Sequence, residues 1–193
     1  ELLPALLKGI HVRAAEEMRR RLRARVKRAD KITVGTFHSI CYSMLKGETA
    51  LAERALQLKL AGEAVASPGL TCSPRRLLND VSAYKSGKGE QTEGVALYCE
   101  LLRASGTADF DDLLSLALGK EGKTFGWLHV DEFQDVNPVQ YELVRKWSRG
   151  GKLFVIGDPA QSIYSFRGAA AECFAGLKAD FPDAAVFRLA ESY

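Results

Sequence analysis

The chain has 193 residues, of which 47% are hydrophobic and 26% charged, with 17 glycines and 6 prolines. This composition is typical of one or at most two globular domains, and it excludes collagen-like, disordered and disulfide-rich chains. No apolar run approaches the roughly 18 residues of a membrane span, and no signal-peptide pattern opens the sequence. We therefore expect a cytoplasmic protein that has no membrane partner.

The net charge of +3 is unevenly distributed along the chain. Residues 1–50 carry 11 Lys and Arg against 5 Asp and Glu, whereas residues 51–193 carry 16 against 19. A basic block of this kind is either a phosphate-binding face or the solvated surface of a helix, and charge alone favours the second interpretation. The four cysteines form no C-x-x-C pair, so they indicate neither a zinc site nor a disulfide framework.

The first 47 residues predict a helix, a strand and a second helix. Apolar residues recur every four positions from Ala14 to Val26, which predicts a helix over 13–28 with arginines on its other faces. The short, β-branched stretch 31–35 predicts a strand. Thr36 follows it and is expected to cap a helix over 37–46.

Residues 48–118 have a different character, because they are rich in Ala, Leu and Glu and poor in strand-forming residues. Clusters of Ser, Pro and Gly divide them into four predicted helices, over 50–62, 74–86, 91–105 and 109–118. This pattern predicts an all-helical insertion within a larger domain.

Strands and helices alternate after residue 122. We predict strands over 125–130, 152–156 and 185–189, and helices over 138–149 and 169–179. The fold class is therefore α/β, a mostly parallel sheet with flanking helices, and function is expected at the carboxyl ends of the strands. We assign residues 1–47 and 119–193 to this domain and residues 48–118 to the helical subdomain inserted in it.

Asp131 and Glu132 directly follow the predicted strand 125–130, so both should project from the carboxyl edge of the sheet. One carboxylate can hold Mg²⁺ through its waters while the other accepts a proton from an attacking water, as phosphoryl transfer requires. Acids after a strand also cap the next helix, and for an isolated Asp-Glu pair that structural role is the better prediction.

Two longer stretches resemble known helicase motifs. Residues 130–141 read V-D-E-F-Q-D-V-N-P-V-Q-Y, and residues 155–169 read V-I-G-D-P-A-Q-S-I-Y-S-F-R-G-A. In this order and at this spacing they resemble motifs II and III of the superfamily 1 DNA helicases of the UvrD/PcrA/Rep kind. Further stretches look like other segments of that family: T-F-H-S-I-C at 36–41, A-D-F-D-D-L-L at 108–114, A-A-E-E-M-R at 14–19 and L-A-E-S-Y at 189–193.

The resemblance implies a RecA-like P-loop NTPase domain with an inserted helical subdomain. It also implies an enzyme that couples hydrolysis of Mg²⁺-ATP to 3′-to-5′ movement along single-stranded DNA and to unwinding of duplex DNA. Such an enzyme acts in DNA repair or replication, so proteins of those processes are expected partners besides DNA and ATP.

By the same resemblance, Asp131 coordinates Mg²⁺, Glu132 is the catalytic base and Gln161 senses the γ-phosphate. A glutamine amide suits the last task, because it donates or accepts a hydrogen bond without adding charge. The resemblance also implies that Gln134 and Asp158 support these three residues. The nucleotide-binding residues expected in this way are Asp131, Glu132, Gln134, Asp158, Gln161 and Arg167.

The resemblance further implies contacts with single-stranded DNA. Aromatic rings beside a catalytic edge can stack on unpaired bases, at about 1–3 kcal/mol per base. Most aromatic residues pack in cores, so assigning Tyr164 and Phe166 to this role depends on the motif. Arg167 either links the two sites or makes a structural ion pair, and the sequence leaves both open. The other expected DNA contacts are Thr36, Phe37, His38 and Arg13.

The family's P-loop, G-x-x-x-x-G-K-S/T, occurs nowhere in the 193 residues. The one Gly-Lys-Thr, at 122–124, has Ala117 where the leading glycine is required, and we interpret it as a surface turn. The family carries its P-loop upstream of the segment at 14–19, and a second RecA-like domain supplies arginines to the nucleotide. We therefore expect a fragment that by itself neither hydrolyses ATP nor unwinds DNA. Its incomplete sheet is expected to expose an edge and to promote self-association.

Two alternatives remain open at this point. The chain is either part of an active motor, or a non-catalytic remnant of a helicase that binds DNA or another protein. The intact residues Asp131, Glu132 and Gln161 favour the motor, because a remnant has no evident need for them. The motor part of a helicase–nuclease is a further alternative.

Overall fold

The computed structural model describes residues 4–8, 12–121, 124–161 and 169–189. In chain order its strands are β1 Pro4–Lys8, β2 Thr33–Gly35, β3 Ala50–Leu51, β4 Thr107–Ala108, β5 Trp127–Asp131 and β6 Lys152–Val155. Its helices are α1 Val12–Arg25, α2 Phe37–Leu45, α3 Arg54–Val65, α4 Pro74–Lys85, α5 Glu93–Ala104, α6 Asp112–Gly119, α7 Pro138–Trp147 and α8 Ala169–Asp180. Within these ranges no helix combines the length and the apolarity that crossing a membrane requires.

Four strands form a parallel sheet in the order β2-β1-β5-β6. At its carboxyl edge, Lys8 at the end of β1 is in register with Asp131 at the end of β5. From β1 the chain continues through α1 to β2 on one side, whereas from β5 it continues through α7 to β6 on the other. This reversal makes the carboxyl edge between β1 and β5 a topological switch point, where open α/β sheets bind their ligands.

One hydrophobic cluster lies against this sheet. Along β5, Leu128 and Val130 are buried while Trp127 and His129 alternate with them on the opposite face, as the two-residue period of a strand requires. Side chains from α2, α6 and α7, including the fully buried Trp147, pack with Leu128 and Val130. Burial of each large apolar side chain contributes about 1.5–3 kcal/mol, so this core fixes the strand from which Asp131 emerges.

A second hydrophobic cluster joins helices α3, α4 and α5. Its buried members are Ala52, Leu60, Ala61, Ala64, Leu77, Leu78, Val81, Val95, Tyr98 and Leu102. Helix α6 follows this segment in the chain, yet its side chains Leu113, Leu114 and Ala117 belong to the cluster against the sheet.

Side-chain caps fix the start of several helices. Thr36, Ser73, Thr92 and Asn137 each accept a hydrogen bond from the backbone N–H three residues later, which satisfies one of the free donors of the first helical turn. Asn137 also forms a reciprocal capping box with Gln140. The predicted cap at Thr36 is therefore confirmed.

Two predicted elements differ from the structure. The helix expected over 50–62 begins only at Arg54, because Ala50–Leu51 pairs in parallel with Thr107–Ala108. The prediction that residues 48–118 are all-helical is wrong for the same reason, since this two-stranded sheet lies within them. The strand predicted over 185–189 is wrong, since this segment has no regular structure and Phe187 is 85% exposed. A strand is stable only beside another strand that accepts and donates its backbone hydrogen bonds, and none of the strands just described pairs with this segment. The other predicted elements are present, with ends shifted by a few residues.

The face of the sheet opposite the first cluster is partly uncovered at β5 and β6. Trp127, Phe154 and Ile156 are 48%, 49% and 52% exposed on it. Strand β6 pairs with β5 along one edge, and none of the described strands pairs with its other edge. Within the part of the chain that the structure describes, the sheet therefore ends at β6 in an edge whose backbone groups are available for pairing.

Candidate functional site

The site begins where β5 ends. Asp131 is the last residue of the strand, and one of its carboxylate oxygens accepts a hydrogen bond from the backbone N–H of Glu132 at 3.0 Å. Glu132 has a φ of 54°, the left-handed region that residues with a Cβ rarely adopt. Such a conformation costs on the order of 1–3 kcal/mol and persists only where the surroundings enforce it. The chain therefore turns sharply between the two carboxylates.

A continuous path of hydrogen bonds connects Glu132 to Gln161. The side-chain amide of Gln134 donates to the Glu132 carboxylate at 2.7 Å, and its carbonyl oxygen accepts from the backbone N–H of Asp158 at 3.0 Å. The Asp158 carboxylate in turn accepts from the side-chain amide of Gln161 at 2.9 Å. This path joins the loop after β5 to the loop after β6.

Close packing between the two loops supports this path. Gln134 is only 4% exposed, and the backbone N–H of Phe133 donates to the carbonyl of Ile156 at 2.9 Å. A Cβ on Gly157 would lie 2.9 Å from the carbonyl oxygen of the Gln134 side chain and 3.1 Å from the nitrogen of Phe133. Glycine at 157 therefore allows the second loop to approach Gln134 closely enough to form the path.

One of the two carboxylates at this site could hold a magnesium ion that also binds phosphate. Asp131 and Glu132 are partly buried carboxylates at the switch point of the sheet. Mg²⁺ in such sites takes only one or two protein carboxylates, because water and phosphate oxygens complete its octahedron. The donor set therefore fits this ion, although the described residues include no group of three or more metal-binding side chains. A carboxylate held by a neighbouring amide can also accept a proton from water.

The T-F-H-S segment follows β2 and lies at the same carboxyl edge, two strands away from β5. Thr36 is 8% exposed, and its hydroxyl accepts the backbone N–H of Ser39 at 3.2 Å as the cap of α2. Phe37 is 1% exposed and stacks on Trp147, with ring centroids 6.2 Å apart. The expected contact of Phe37 with DNA is therefore corrected, because its ring packs inside the core.

His38 lies between the buried Phe37 and the exposed Ser39 and is itself partly buried. Its ring stacks on Phe110 with centroids 4.2 Å apart and planes 11° apart, and the Phe110 ring is 56% exposed. Burial lowers the pKa of His38 to about 4, so the ring is neutral at pH 7. Its Nε2 is buried and has no hydrogen-bond partner among the described residues. His38 therefore offers a neutral ring and one unsatisfied polar atom, not a positive charge.

Comparison with known proteins decides the family. The chain matches the UvrD/REP helicase N-terminal domain over residues 11–87 and 70–182. It belongs to this family. The ATP-dependent DNA helicase UvrD1 of Mycobacterium tuberculosis is 31% identical to it over 232 residues, which covers 94% of this chain and 30% of that protein. The ATP-dependent DNA helicase PcrA of Bacillus subtilis is 29% identical over 220 residues, with the same coverage. The chain thus spans about 30% of the length of these relatives.

Membership of the UvrD/REP family confirms the resemblance seen in the motifs. Three expected site residues nevertheless lie outside the described residues: Tyr164, Phe166 and Arg167. Gly122 and Lys123, which we interpreted as part of a surface turn and not as a site, also lie outside them. Arg13 lies in α1, where the structure describes its backbone but not its side chain. Among the described residues of this helicase domain, the candidate site residues thus form two groups. One is the hydrogen-bond path from Glu132 to Gln161, and the other is the segment around His38.

Sequence reasoning missed one polar cluster in this helicase domain. Lys85 lies between the carboxylates of Asp109 and Asp112, and the hydroxyl of Tyr98 donates to Asp109 at 3.4 Å. The signal was present in the D-F-D-D segment, since a buried carboxylate such as that of Asp109 requires a cation or donors nearby. Which lysine meets them could not be read from the sequence, because Lys85 is distant from the turn along the chain.

Proposed function

We propose that this chain is the first motor domain of an ATP-dependent 3′-to-5′ DNA helicase, a RecA-like domain with an inserted helical subdomain. The observation that carries the proposal is the hydrogen-bond path from Glu132 through Gln134 and Asp158 to Gln161. It connects a carboxylate suited to activating water with an amide suited to contacting a phosphate, at a switch point of a parallel sheet. The relatives, which are named ATP-dependent DNA helicases, support the same activity.

Within this proposal, residues 48–118 form the inserted subdomain and residues 1–47 and 119–193 form the RecA-like domain. The separate hydrophobic cluster of α3, α4 and α5 supports an insertion with its own core. Helix α6 would tie the two parts together, since it lies at the end of the insertion and its side chains belong to the cluster against the sheet.

The proposed chemistry assigns one task to each polar group of the path. Asp131 would hold Mg²⁺, which when bound offsets the negative charge of the phosphates. Glu132 accepts the proton of the attacking water, and Gln134 keeps its carboxylate in a fixed orientation. Gln161 contacts the γ-phosphate, so that a change there is transmitted through Asp158 and Gln134 back to Glu132.

The isolated 193-residue chain is expected to hydrolyse ATP negligibly. None of its residues forms a P-loop, whose lysine and backbone N–H groups supply much of the electrostatic stabilisation in phosphoryl transfer. Robust DNA-stimulated hydrolysis by the isolated chain would contradict this.

A chimera tests the motor itself. In it, the chain replaces the segment that it matches in Bacillus subtilis PcrA, and the rest of that helicase supplies the remaining parts of the motor. We expect DNA-dependent ATP hydrolysis by this chimera. A folded chimera that binds DNA but never hydrolyses ATP would instead favour a non-catalytic remnant.

We also propose a surface for single-stranded DNA that includes Thr36, His38, Tyr164, Phe166 and Arg13. Its basic character agrees with the excess of 11 Lys and Arg over 5 Asp and Glu in residues 1–50. Loss of one stacked ring costs about 1–3 kcal/mol, so Phe166→Ala should weaken binding of a labelled oligothymidine by about 5- to 150-fold in fluorescence anisotropy. Phe187→Ala is the matched control, because Phe187 is 85% exposed and lies outside the proposed surface. Equal affinities of the two variants would contradict the proposal.

Self-association of the isolated chain is proposed on separate grounds. The outer edge of β6 and the exposed rings of Trp127 and Phe154 together form an apolar surface next to available backbone groups. Sedimentation of the chain should show a concentration-dependent dimer that Phe154→Lys reduces. A monomer at every concentration would contradict this.

Within cells we propose a cytoplasmic role in repair or replication.

A further inference from the structure

Lys85, the last residue of α4, is a buried cation between two carboxylates. Its side chain is 8% exposed, and its Nζ lies 2.7 Å from an oxygen of Asp109 and 2.7 Å from an oxygen of Asp112. The Asp109 side chain is 7% exposed and therefore buried, whereas that of Asp112 is 27% exposed and only partly buried. Burial alone would lower the pKa of Lys85, but the hydrogen bonds to both carboxylates outweigh it and raise the pKa above its ordinary value. The lysine is therefore charged at neutral pH.

The two carboxylates also shape the turn that leads into α6. The backbone N–H of Asp109 donates to the Asp112 side chain at 3.0 Å, and the backbone N–H of Asp112 donates to the Asp109 side chain at 3.1 Å. These reciprocal bonds bring two negative charges close together in a partly buried place, where they repel each other. Lys85 offsets this repulsion and anchors the turn to α4.

The turn between these carboxylates carries Phe110, which stacks on His38 with centroids 4.2 Å apart. His38 belongs to α2, which packs against the sheet, whereas Lys85 belongs to α4 in the second hydrophobic cluster. The turn that carries Phe110 is thus anchored to α4 in the second cluster, whereas the Phe110 ring contacts His38 on α2 in the first cluster.

We propose that Lys85 is a positioning residue for His38: by anchoring the turn 109–112, it holds Phe110 against the His38 ring and so fixes the orientation that this ring presents to single-stranded DNA. The last clause rests on the proposed DNA surface. The anchoring of the turn and the placement of Phe110 against His38 do not rest on that surface, because they concern contacts within the chain alone.

Nuclear magnetic resonance of the histidine rings tests the positioning without any DNA. In the wild-type chain the His38 signals should show the ring-current shift of a stacked ring and a pKa of about 4. The Lys85→Met variant should lose the ring-current shift, and the pKa of His38 should rise towards 6.5, its ordinary value. Phe110→Leu, which removes the stacked ring directly, should give the same change. The double variant should change no further.

Lys59→Met is the matched control, because Lys59 is an exposed lysine of the same helical cluster, 72% accessible on α3. It should leave the His38 signals unchanged. If folded Lys85→Met keeps the wild-type His38 shift and pKa, the proposal is overturned. If Lys85→Met does not fold, the triple variant Lys85→Met, Asp109→Asn, Asp112→Asn replaces it, since it leaves no unpaired charge. A loss of the His38 ring-current shift together with a raised His38 pKa in the triple variant then supports the proposal, and wild-type values overturn it.

Binding of labelled oligothymidine then separates this inference from the proposed function. Lys85→Met and Phe110→Leu should both weaken binding about tenfold, as loss of one well-formed contact does, while Lys59→Met should not. If the His38 signals change in both variants but affinity does not, Lys85 positions His38 and the proposed role of His38 in binding DNA is wrong. If affinity falls in Lys85→Met with unchanged His38 signals, the positioning itself is wrong.

Discussion

Replacing Gln134 by alanine removes both inner hydrogen bonds of the path between Glu132 and Gln161. The bond to the Glu132 carboxylate, at 2.7 Å, is charge-assisted and contributes about 1.5–3 kcal/mol to stability. The bond from the backbone N–H of Asp158, at 3.0 Å, contributes about 0.5–1.5 kcal/mol, because Asp158 is exposed and water can replace Gln134 there. Together the loss should lower the free energy of unfolding by about 2–4.5 kcal/mol.

Urea denaturation of the isolated chain, followed by circular dichroism, measures this loss. A decrease of about 2–4.5 kcal/mol corresponds to a fall in Tm of about 4–18 °C for a chain of this size. Gln91→Ala serves as the control, since Gln91 is exposed and precedes α5. A decrease below about 0.5 kcal/mol for Gln134→Ala, the range of ordinary surface substitutions, would refute the reasoning that this path is formed in solution.

Three further predictions concern the same chain and use the same urea denaturation. Asn137→Ala removes the cap of α7 directly after the site and should cost about 0.5–2 kcal/mol, whereas no loss would contradict the capping box. Gly157→Ala places a Cβ 2.9 Å from the Gln134 side chain and should cost about 1–3 kcal/mol; an unchanged midpoint would show that the two loops are not tightly packed. The pKa of His38 falls from 6.5 to about 4 on folding, so the unfolded chain takes up the proton first. Stability should therefore decrease by about 3 kcal/mol as the pH falls from 6.5 to 4, and His38→Phe should remove that part of the decrease. An identical acid limb in both proteins would contradict the burial of His38.

Local signals in the sequence were enough to predict much of the architecture. The cap at Thr36 and the start of α7 at Pro138 are set by side chains and backbone limits a few residues apart, so they can be read directly. The alternating apolar residues of β5 likewise place Asp131 at the end of a buried strand. These short-range features located the carboxyl edge at which the site lies.

Contacts between distant parts of the chain could not be predicted in the same way. Strands β3 and β4 have two residues each, too few to show a period, and they form only because they pair with one another. The segment 185–189 has the composition of a strand but finds no partner among the described strands. The stack of His38 on Phe110 and the burial of Lys85 between Asp109 and Asp112 also depend on how two clusters pack together.

The most direct test of the central claim is the rate of DNA-stimulated ATP hydrolysis by the PcrA chimera with and without Glu132→Gln. Glutamine keeps the size and the hydrogen-bonding capacity of the side chain but cannot accept a proton from water. If Glu132 is the catalytic base of a helicase motor, kcat should fall by about 10²–10⁴-fold while ATP and DNA binding persist. An unchanged kcat in the Glu132→Gln chimera would contradict the account.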